Sequence, residues 1–422
     1  MGRKYPYMEG HRPIPNRIRF GSKAVDRLAR RRRRRGDGPS LDLDLYSPEV
    51  VVDSSAAFAR IREAGPVVWL PRHRIWALGR FDEVRAALRD DELFVSGKGV
   101  AANPITNVAA RKTTLFSDGE THVARRKVLM RSLGAQAMAP ISGRLDAEAA
   151  AIVGGLVGRG EFDAPRDFSS GLPLRVVADL VGVRVPRERL LAWGALSFDM
   201  LGPLNRRGLT AAPSSIGMLA YAQRLGRSRV VPGSWAASVF DAADRGEIDK
   251  TEARNMVIDF IAPSLDTTIL ASTHMLWLLG ENPVAWRRLR EDPELIGAAV
   301  VEAVRLSSPI RGFTRRLSRD AEVGGVQMRA GDRAVLLFGA ANLDERRFPD
   351  PERFDLDRPP GGNLGWGNGP HTCVGIHLAK LEMAALLRAL VAQVETIEIL
   401  GPPTRIRNNT LQGIATLPVR LS

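Results

Sequence analysis

The sequence predicts a mainly α-helical fold with small β-sheets, and three observations carry that reading. Between Phe81 and Ala321 apolar residues recur at helical spacing, interrupted at Pro104, Pro140, Pro165, Pro203, Pro213 and Pro232. Val67-Val68-Trp69-Leu70 and Ile75-Trp76-Ala77-Leu78 flank a short polar turn, the pattern of a β-hairpin. From Gly324 to Phe338, glycines and short β-rich runs predict a second small sheet.

Taken in order, the folded part is expected to begin near Leu41-Asp42-Leu43. Ser54 to Glu63 reads as a short helix, stopped by Gly65-Pro66 because proline lacks an N–H and biases its predecessor away from helix. The hairpin and the long helical region follow. Within the latter, Val257 to about Leu279 reads as one apolar helix, in which Pro263 disrupts the bond to the carbonyl of Asp259. Glu302 and Arg305, three apart on another apolar helix, share a face; taken alone they read as a surface pair. Residues 342–363 are rich in Pro, Asp and Arg without a period, a long irregular segment. A final helix runs from just after Cys373 through Val394, with Met383, Leu386, Leu387, Leu390 and Val394 on its buried face. No internal repeat is evident.

Composition narrows the class. Hydrophobic residues make up 44% of the 422, ordinary for a globular chain. No apolar run reaches the roughly 18 residues of a membrane span, and no signal-peptide pattern opens the chain, so a cytoplasmic location is expected. One cysteine excludes an intramolecular disulfide and agrees with a reducing compartment. The formal charge of +14 is concentrated at one end: residues 1–40 hold 13 Lys/Arg and 3 Asp/Glu, including the unbroken run Arg30 to Arg35. Like charges in a block repel one another, so this reads as a solvated extension; a tether to a membrane surface or nucleic acid is the lesser alternative.

The lone cysteine lies in Gly367-Asn368-Gly369-Pro370-His371-Thr372-Cys373-Val374-Gly375, directly before the last helix. A thiol titrates near 8.5 unless it is helped, and a helix N-terminus supplies free N–H groups and the positive end of the dipole. Glycines at 367, 369 and 375 let the backbone turn sharply and approach a flat ligand. The arrangement suits an axial thiolate beneath a haem iron.

The wider run Trp366-Gly367-x-Gly369-x-His371-x-Cys373-x-Gly375-x-x-Leu378-Ala379 resembles the haem-binding signature of the cytochromes P-450, with Trp366 where that family usually has Phe. The resemblance extends from about Leu41 to the C-terminus. It implies one cytochrome P-450 domain over 41–422 rather than the two or three domains that length suggests, with residues 1–40 as an extension. It also implies haem b as cofactor and Cys373 as its metal ligand. The activity implied is insertion of one atom of O2 into a small organic substrate, using electrons from a ferredoxin and its NAD(P)H-dependent reductase. No flavin or dinucleotide fingerprint of the chain's own is apparent.

The same resemblance distributes roles. Asp266-Thr267 matches the family's acid–alcohol pair, which relays protons to bound oxygen. Pro263-Ser264 departs from the small residues usual just upstream. His122, Arg126, Arg315 and His371 match ligands of the haem propionates, where Arg offers a fork of donors to each carboxylate. Glu302, Arg305 and Arg353, the last in Pro351-Glu352-Arg353-Phe354, match a structural cluster behind the thiolate loop. Arg125, Lys127, Arg131 and Lys380 are expected on the thiolate face, suiting an acidic redox partner.

Ser308-Pro309-Ile310-Arg311-Gly312-Phe313-Thr314-Arg315, Asn408-Asn409-Thr410-Leu411-Gln412-Gly413 and Gly202-Pro203-Leu204-Asn205 resemble a bacterial sub-group that oxidises para-substituted benzoates. Scaffold segments speak for kinship more than for substrate. Asp259 lies eight residues before Thr267 and so is expected to face the distal pocket with Phe260 and Ser264. Its carboxylate, set among apolar residues, needs a partner: Lys98, in Ser96-Gly97-Lys98-Gly99, or a basic or hydroxylated substrate. In either case a free anion is repelled, and simple benzoates are expected to be poor substrates. Two other uses of the scaffold stay open, a non-hydroxylating oxidation such as phenol coupling and a non-catalytic haem protein.

Overall fold

The computed structural model describes residues 38–359 and 361–422. The basic extension, with Arg30 to Arg35, lies outside the described residues. Packing is already present at Pro39, whose carbonyl accepts the Trp69 N–H at 2.8 Å, while Leu41 N–H donates to Trp69 O at 2.9 Å. The first apolar helix, Ser55–Ala64, buries Ala57, Phe58 and Ile61 and stops at Gly65, whose φ of 148° suits glycine.

The hairpin forms with Val67 opposite Leu78 and Leu70 opposite Ile75. All four residues of Ile75–Leu78 are buried, because this strand is interior. On its other side runs Arg333–Leu336 in parallel, followed by Phe313–Leu317 and then Phe94–Val95. Two expectations are thereby corrected. The sheet predicted over 324–338 is split: Ala321–Val323 and Val326–Met328 pair with each other, but Arg333–Leu336 joins the hairpin. The helical pattern also ends earlier than Ala321, since Phe313–Leu317 is a strand. Gly312 permits its approach; a Cβ there would lie 2.2 Å from the carbonyl oxygen of Leu336.

Prolines behave by position. Pro104 opens a helix, where its missing N–H costs nothing, but Pro213 lies inside the helix Arg206–Gln223 and does not end it. The single apolar helix expected over 257–279 is two helices, Lys250–Ile261 and Asp266–Glu281, separated by a turn at 262–265 that contains Pro263. An Asp249–Glu252 capping box starts the first of them. Among the described residues no helix is long and apolar enough to cross a membrane.

The last helix, Ile376–Gln393, turns Met383, Leu386, Leu387 and Leu390 into the main helical core, and Val394 just past its end is also buried. Behind the cysteine loop, the helix Ile296–Ser307 carries the buried Glu302–Arg305 pair. Arg305 Nε and Nη2 donate to the two Glu302 oxygens at 2.8 and 2.7 Å, and Nη1 donates to Asn342 O and Pro351 O at 2.7 and 2.6 Å. The third side chain of this cluster is Arg358, whose Nε donates to Glu302 Oε1 at 3.0 Å. Arg353, expected there, is exposed and gives only its carbonyl to Arg305, because the irregular segment turns its side chain outward. Asn342 completes the tie: its Oδ1 accepts the Leu364 N–H at 2.7 Å, at the start of the cysteine loop.

The three scaffold segments that are far apart in sequence meet in one buried clasp. Asn409 N–H donates to Asp199 Oδ1 at 2.7 Å, Asn205 and Asn409 exchange amide bonds, and Arg311 N–H donates to Thr410 O. The clasp holds the helices Arg187–Leu201 and Arg206–Gln223 against the C-terminal turn.

Candidate active site

Cys373 sits at the end of a tight loop built by its own backbone. Gly367 N–H donates to Leu364 O, and Cys373 N–H donates to Trp366 O at 2.8 Å. Gly367 and Gly369 have φ of 71° and 69°, and a Cβ on Gly369 would lie 2.4 Å from Leu88 O. Glycine is therefore required at 369 for both conformation and clearance. Burial pushes the Cys373 thiol up, opposed by the Gly375 N–H and the Arg126 guanidinium. The sulfur faces a largely apolar cavity that reaches across to the turn at Pro263 and to Thr267.

At one end of this cavity four nitrogenous side chains meet: His122, Arg126, Arg315 and His371. The two imidazoles stack with centroids 4.0 Å apart, and both Nε2 atoms are buried without a hydrogen-bond partner. Burial, then the neighbouring Arg315, His122 and Arg126, holds His371 down to about 2. Burial likewise lowers His122, so both rings are neutral near pH 7. Burial brings Arg315 down to about 10 and lowers Arg126 too. Among the described residues no carboxylate pairs with either guanidinium, so the cluster is a ready binding site for carboxylate groups. The sequence reading placed all four residues here.

Across from the thiol, Thr267 lines the cavity and its Oγ1 donates to Pro263 O at 2.8 Å. Asp266 is turned away from the cavity and buried against the helix Arg187–Leu201. A Cβ on Gly194 would lie 2.0 Å from Asp266 Oδ2, so only glycine leaves room for that carboxylate. Ser264 lines the cavity as expected, and its hydroxyl donates to Phe260 O.

Asp259 also lines the cavity, and its partner corrects the sequence reading. Thr114 N–H donates to Asp259 Oδ2 at 2.9 Å. Lys98 is exposed and does not line the cavity, since its loop is held by Ser96 and Gly97 N–H groups on Asp118. Phe260 is excluded as well. One helical step from Asp259, it points into the main core beside Trp235, with centroids 5.5 Å apart. Burial pushes the Asp259 carboxyl up to about 6, opposed by Thr114 and by Arg125. The apolar lining from Leu115, Phe198, Ile310 and Phe313 was not legible: Ile310 and Phe313 lie in the segment 308–315, read only as scaffold, and the other two come from elements with no motif.

Of the four cations expected on an outer face, Lys127 and Lys380 are exposed, the latter 5.1 Å above the Trp366 ring. Arg131 pairs with Glu247 at 2.6 Å. Arg125 is buried instead, bonded to Glu252 at 2.6 Å and to the carbonyls of Arg111 and Thr113.

A family model for cytochrome P450 matches residues 235–419. Cytochrome p450 CYP199A2 of Rhodopseudomonas palustris is 35% identical over 390 residues, covering 91% of this chain and 95% of that protein. Linalool 8-monooxygenase of Pseudomonas putida is 28% identical, covering 90% and 97%. Among solved structures, the CYP116B5 haem domain of Acinetobacter radioresistens superposes with a TM-score of 0.80 over 90% of this chain and 97% of that one. At 21% identity that likeness is one of fold.

Proposed function

Since this chain belongs to the cytochrome P450 family, whose members bind haem b through a cysteine thiolate, we propose that it is a ferredoxin-dependent monooxygenase of small organic substrates with Cys373 as the iron ligand. The observation that carries this reading is the shared cavity: one thiol on one wall, a hydroxyl on the other, and a carboxylate-binding cluster at one end. When bound, the haem supplies the iron that activates O2, with the thiolate favouring O–O cleavage.

The chain's residues do the rest. Arg126 and Arg315 would hold the two propionates, and the orphaned Nε2 atoms of His122 and His371 would find partners in them. The Gly375 N–H beside Cys373 stabilises the anionic sulfur. Turned from the Pro263 carbonyl, the Thr267 hydroxyl passes protons into the cavity, with Asp266 as the acid behind it. Leu115, Phe198, Ile310 and Phe313 exclude water and enclose the substrate's apolar body. Lys127 and Lys380, both exposed, offer positive charge to an acidic ferredoxin reduced by an NAD(P)H-dependent reductase, and the reading places the reaction in the cytoplasm.

The test is reconstitution with a ferredoxin and reductase under labelled O2, with candidate substrates first selected by their spin change at the haem. One labelled oxygen atom in the product supports the reading; NAD(P)H consumption without any oxygenated product, across substrates that do shift the spin state, overturns it. In the same assay Thr267→Ala is expected to keep NAD(P)H oxidation within about twofold while product per NAD(P)H falls about tenfold or more and peroxide rises. Unchanged coupling removes Thr267 from proton delivery.

A further inference from the structure

We infer that Asp259 is the specificity-determining residue of this cavity and selects substrates that carry a cationic group, or a strong N–H or O–H donor, on a compact apolar body. The inference rests on the monooxygenase reading and names the substrate class that reading leaves open.

Three observations carry it. The first is the lack of a neutralising partner. Asp259 lines the cavity, accepts the Thr114 amide at Oδ2, and among the described residues forms no ion pair. The lysine expected to neutralise it is on the surface. Arg125, whose charge it feels, spends its donors on Glu252 and on the carbonyls of Arg111 and Thr113. A half-buried carboxylate on a largely apolar cavity wall is costly to leave without a cation, and an incoming cation recovers part of that cost.

The second is the polarity of the neighbouring wall. Ser264 and Thr267 both line the cavity, yet each hydroxyl gives its hydrogen to a backbone carbonyl, those of Phe260 and Pro263. Those two oxygens keep lone pairs to offer, while the Thr114 hydroxyl, also on this wall, acts on Asp259 itself. Asp259, Ser264 and Thr267 thus form a wall of acceptors, which a donor satisfies and a carboxylate does not.

The third is the separation of charge within the cavity. Its cations, Arg126 and Arg315, belong to the histidine cluster: Arg126 feels Cys373, and both guanidiniums act on His371. They are taken up by the propionates in the proposed holoenzyme. No lysine or arginine of the cavity wall is then left for a substrate anion, whereas Leu115, Phe198, Ile310 and Phe313 provide an apolar body site.

The experiment titrates the full-length holoenzyme with three probes of one shape, read by the optical spin change. They are para-methoxybenzyl-trimethylammonium, its neutral tert-butyl-type isostere and a para-methoxyphenyl carboxylate. A quaternary nitrogen has no lone pair with which to ligate the iron, so the signal reports occupancy alone. The cation is expected to bind about tenfold or more tighter than the neutral probe, and the carboxylate weaker than either. In Asp259→Asn, which keeps an acceptor for the Thr114 amide, the cation-to-neutral ratio is expected to fall below about twofold. Equal binding of cation and neutral probe, a carboxylate that binds best, or a preference that survives Asp259→Asn overturns the inference. Failure here is separable from failure of the monooxygenase reading. A thiolate-type carbon monoxide spectrum with a flat charge ranking removes only the role of Asp259, whereas absence of that spectrum in the wild type removes the reading beneath it.

Discussion

Cys373→His is expected to abolish the strongly red-shifted Soret band of the reduced carbon monoxide complex and to bring product formation down to background. Cys373 is the chain's one thiol, so no other residue can supply a thiolate ligand. Its surroundings are arranged for an anion: the Gly375 N–H points at the sulfur, and the Arg126 guanidinium adds a favourable charge. Those contacts oppose burial, which by itself favours the neutral thiol. An imidazole in this place is a neutral, bulkier ligand, and the electron donation that favours O–O cleavage goes with the thiolate. The measurement is a carbon monoxide difference spectrum at matched haem content, followed by turnover. A variant that keeps the red-shifted band shows that the sulfur is not the ligand.

Arg305→Ala is expected to be the most destabilising change outside the haem pocket, by about 3–5 kcal/mol, with loss of haem incorporation. Arg305 and Glu302 are both almost completely buried, so removing the guanidinium strips the carboxylate of its bidentate partner and leaves it only the single Arg358 bond as a side-chain cation contact. It also strips the carbonyls of Asn342 and Pro351 of their donor. Asn342 holds Leu364 and through it the entry to the cysteine loop, so disorder there reaches Cys373. Two controls locate the effect. Arg358→Ala is expected to cost about 1–3 kcal/mol, since it removes a part-buried bond to Glu302 and two exposed ones to the carbonyls of Pro349 and Asp350. Arg353→Ala is expected to change stability by less than about 0.5 kcal/mol, because only its backbone takes part. Denaturant unfolding of the three variants checks the order, with haem content read in parallel. Equal costs for Arg353→Ala and Arg358→Ala would show that the wrong arginine has been assigned to Glu302.

The clasp of Asn205, Asp199 and Asn409 bears on how the cavity is covered. The helix Arg187–Leu201 contributes Phe198 to the cavity and Gly194 to the seat of Asp266. A Cβ at Gly202 would lie 2.4 Å from Asn409 Cβ, so the chain leaves this helix through a position where only glycine fits. The segments that meet in this clasp thus brace the cavity, and Ile310 and Phe313 of one of them also line it. The carboxylate of its wall, Asp259, comes from a different element, the helix Lys250–Ile261.

What the sequence determined by itself is whatever local physics controls. The hairpin at 67–78, the helix after Cys373 with its buried Met383, Leu386, Leu387 and Leu390, and the glycine loop before it all follow from neighbouring residues. Side-chain periodicity, turn chemistry and the backbone freedom of glycine act over a few positions and need no partner elsewhere. The histidine–arginine cluster was legible too, through a resemblance carried by short motifs. Tertiary structure alone decided the rest. Ile75–Leu78 became an interior strand because Arg333–Leu336 arrives from more than 250 residues away. Phe313–Leu317 became a strand because it is bonded on both sides by that same sheet. Arg358 rather than Arg353 reached Glu302 because an irregular segment has no period from which to read its facing. The fate of Asp259 was settled by a backbone amide at Thr114 and by a lysine that stayed in water. Pairing between distant segments depends on where the whole chain places them, and short-range preferences hold no record of that.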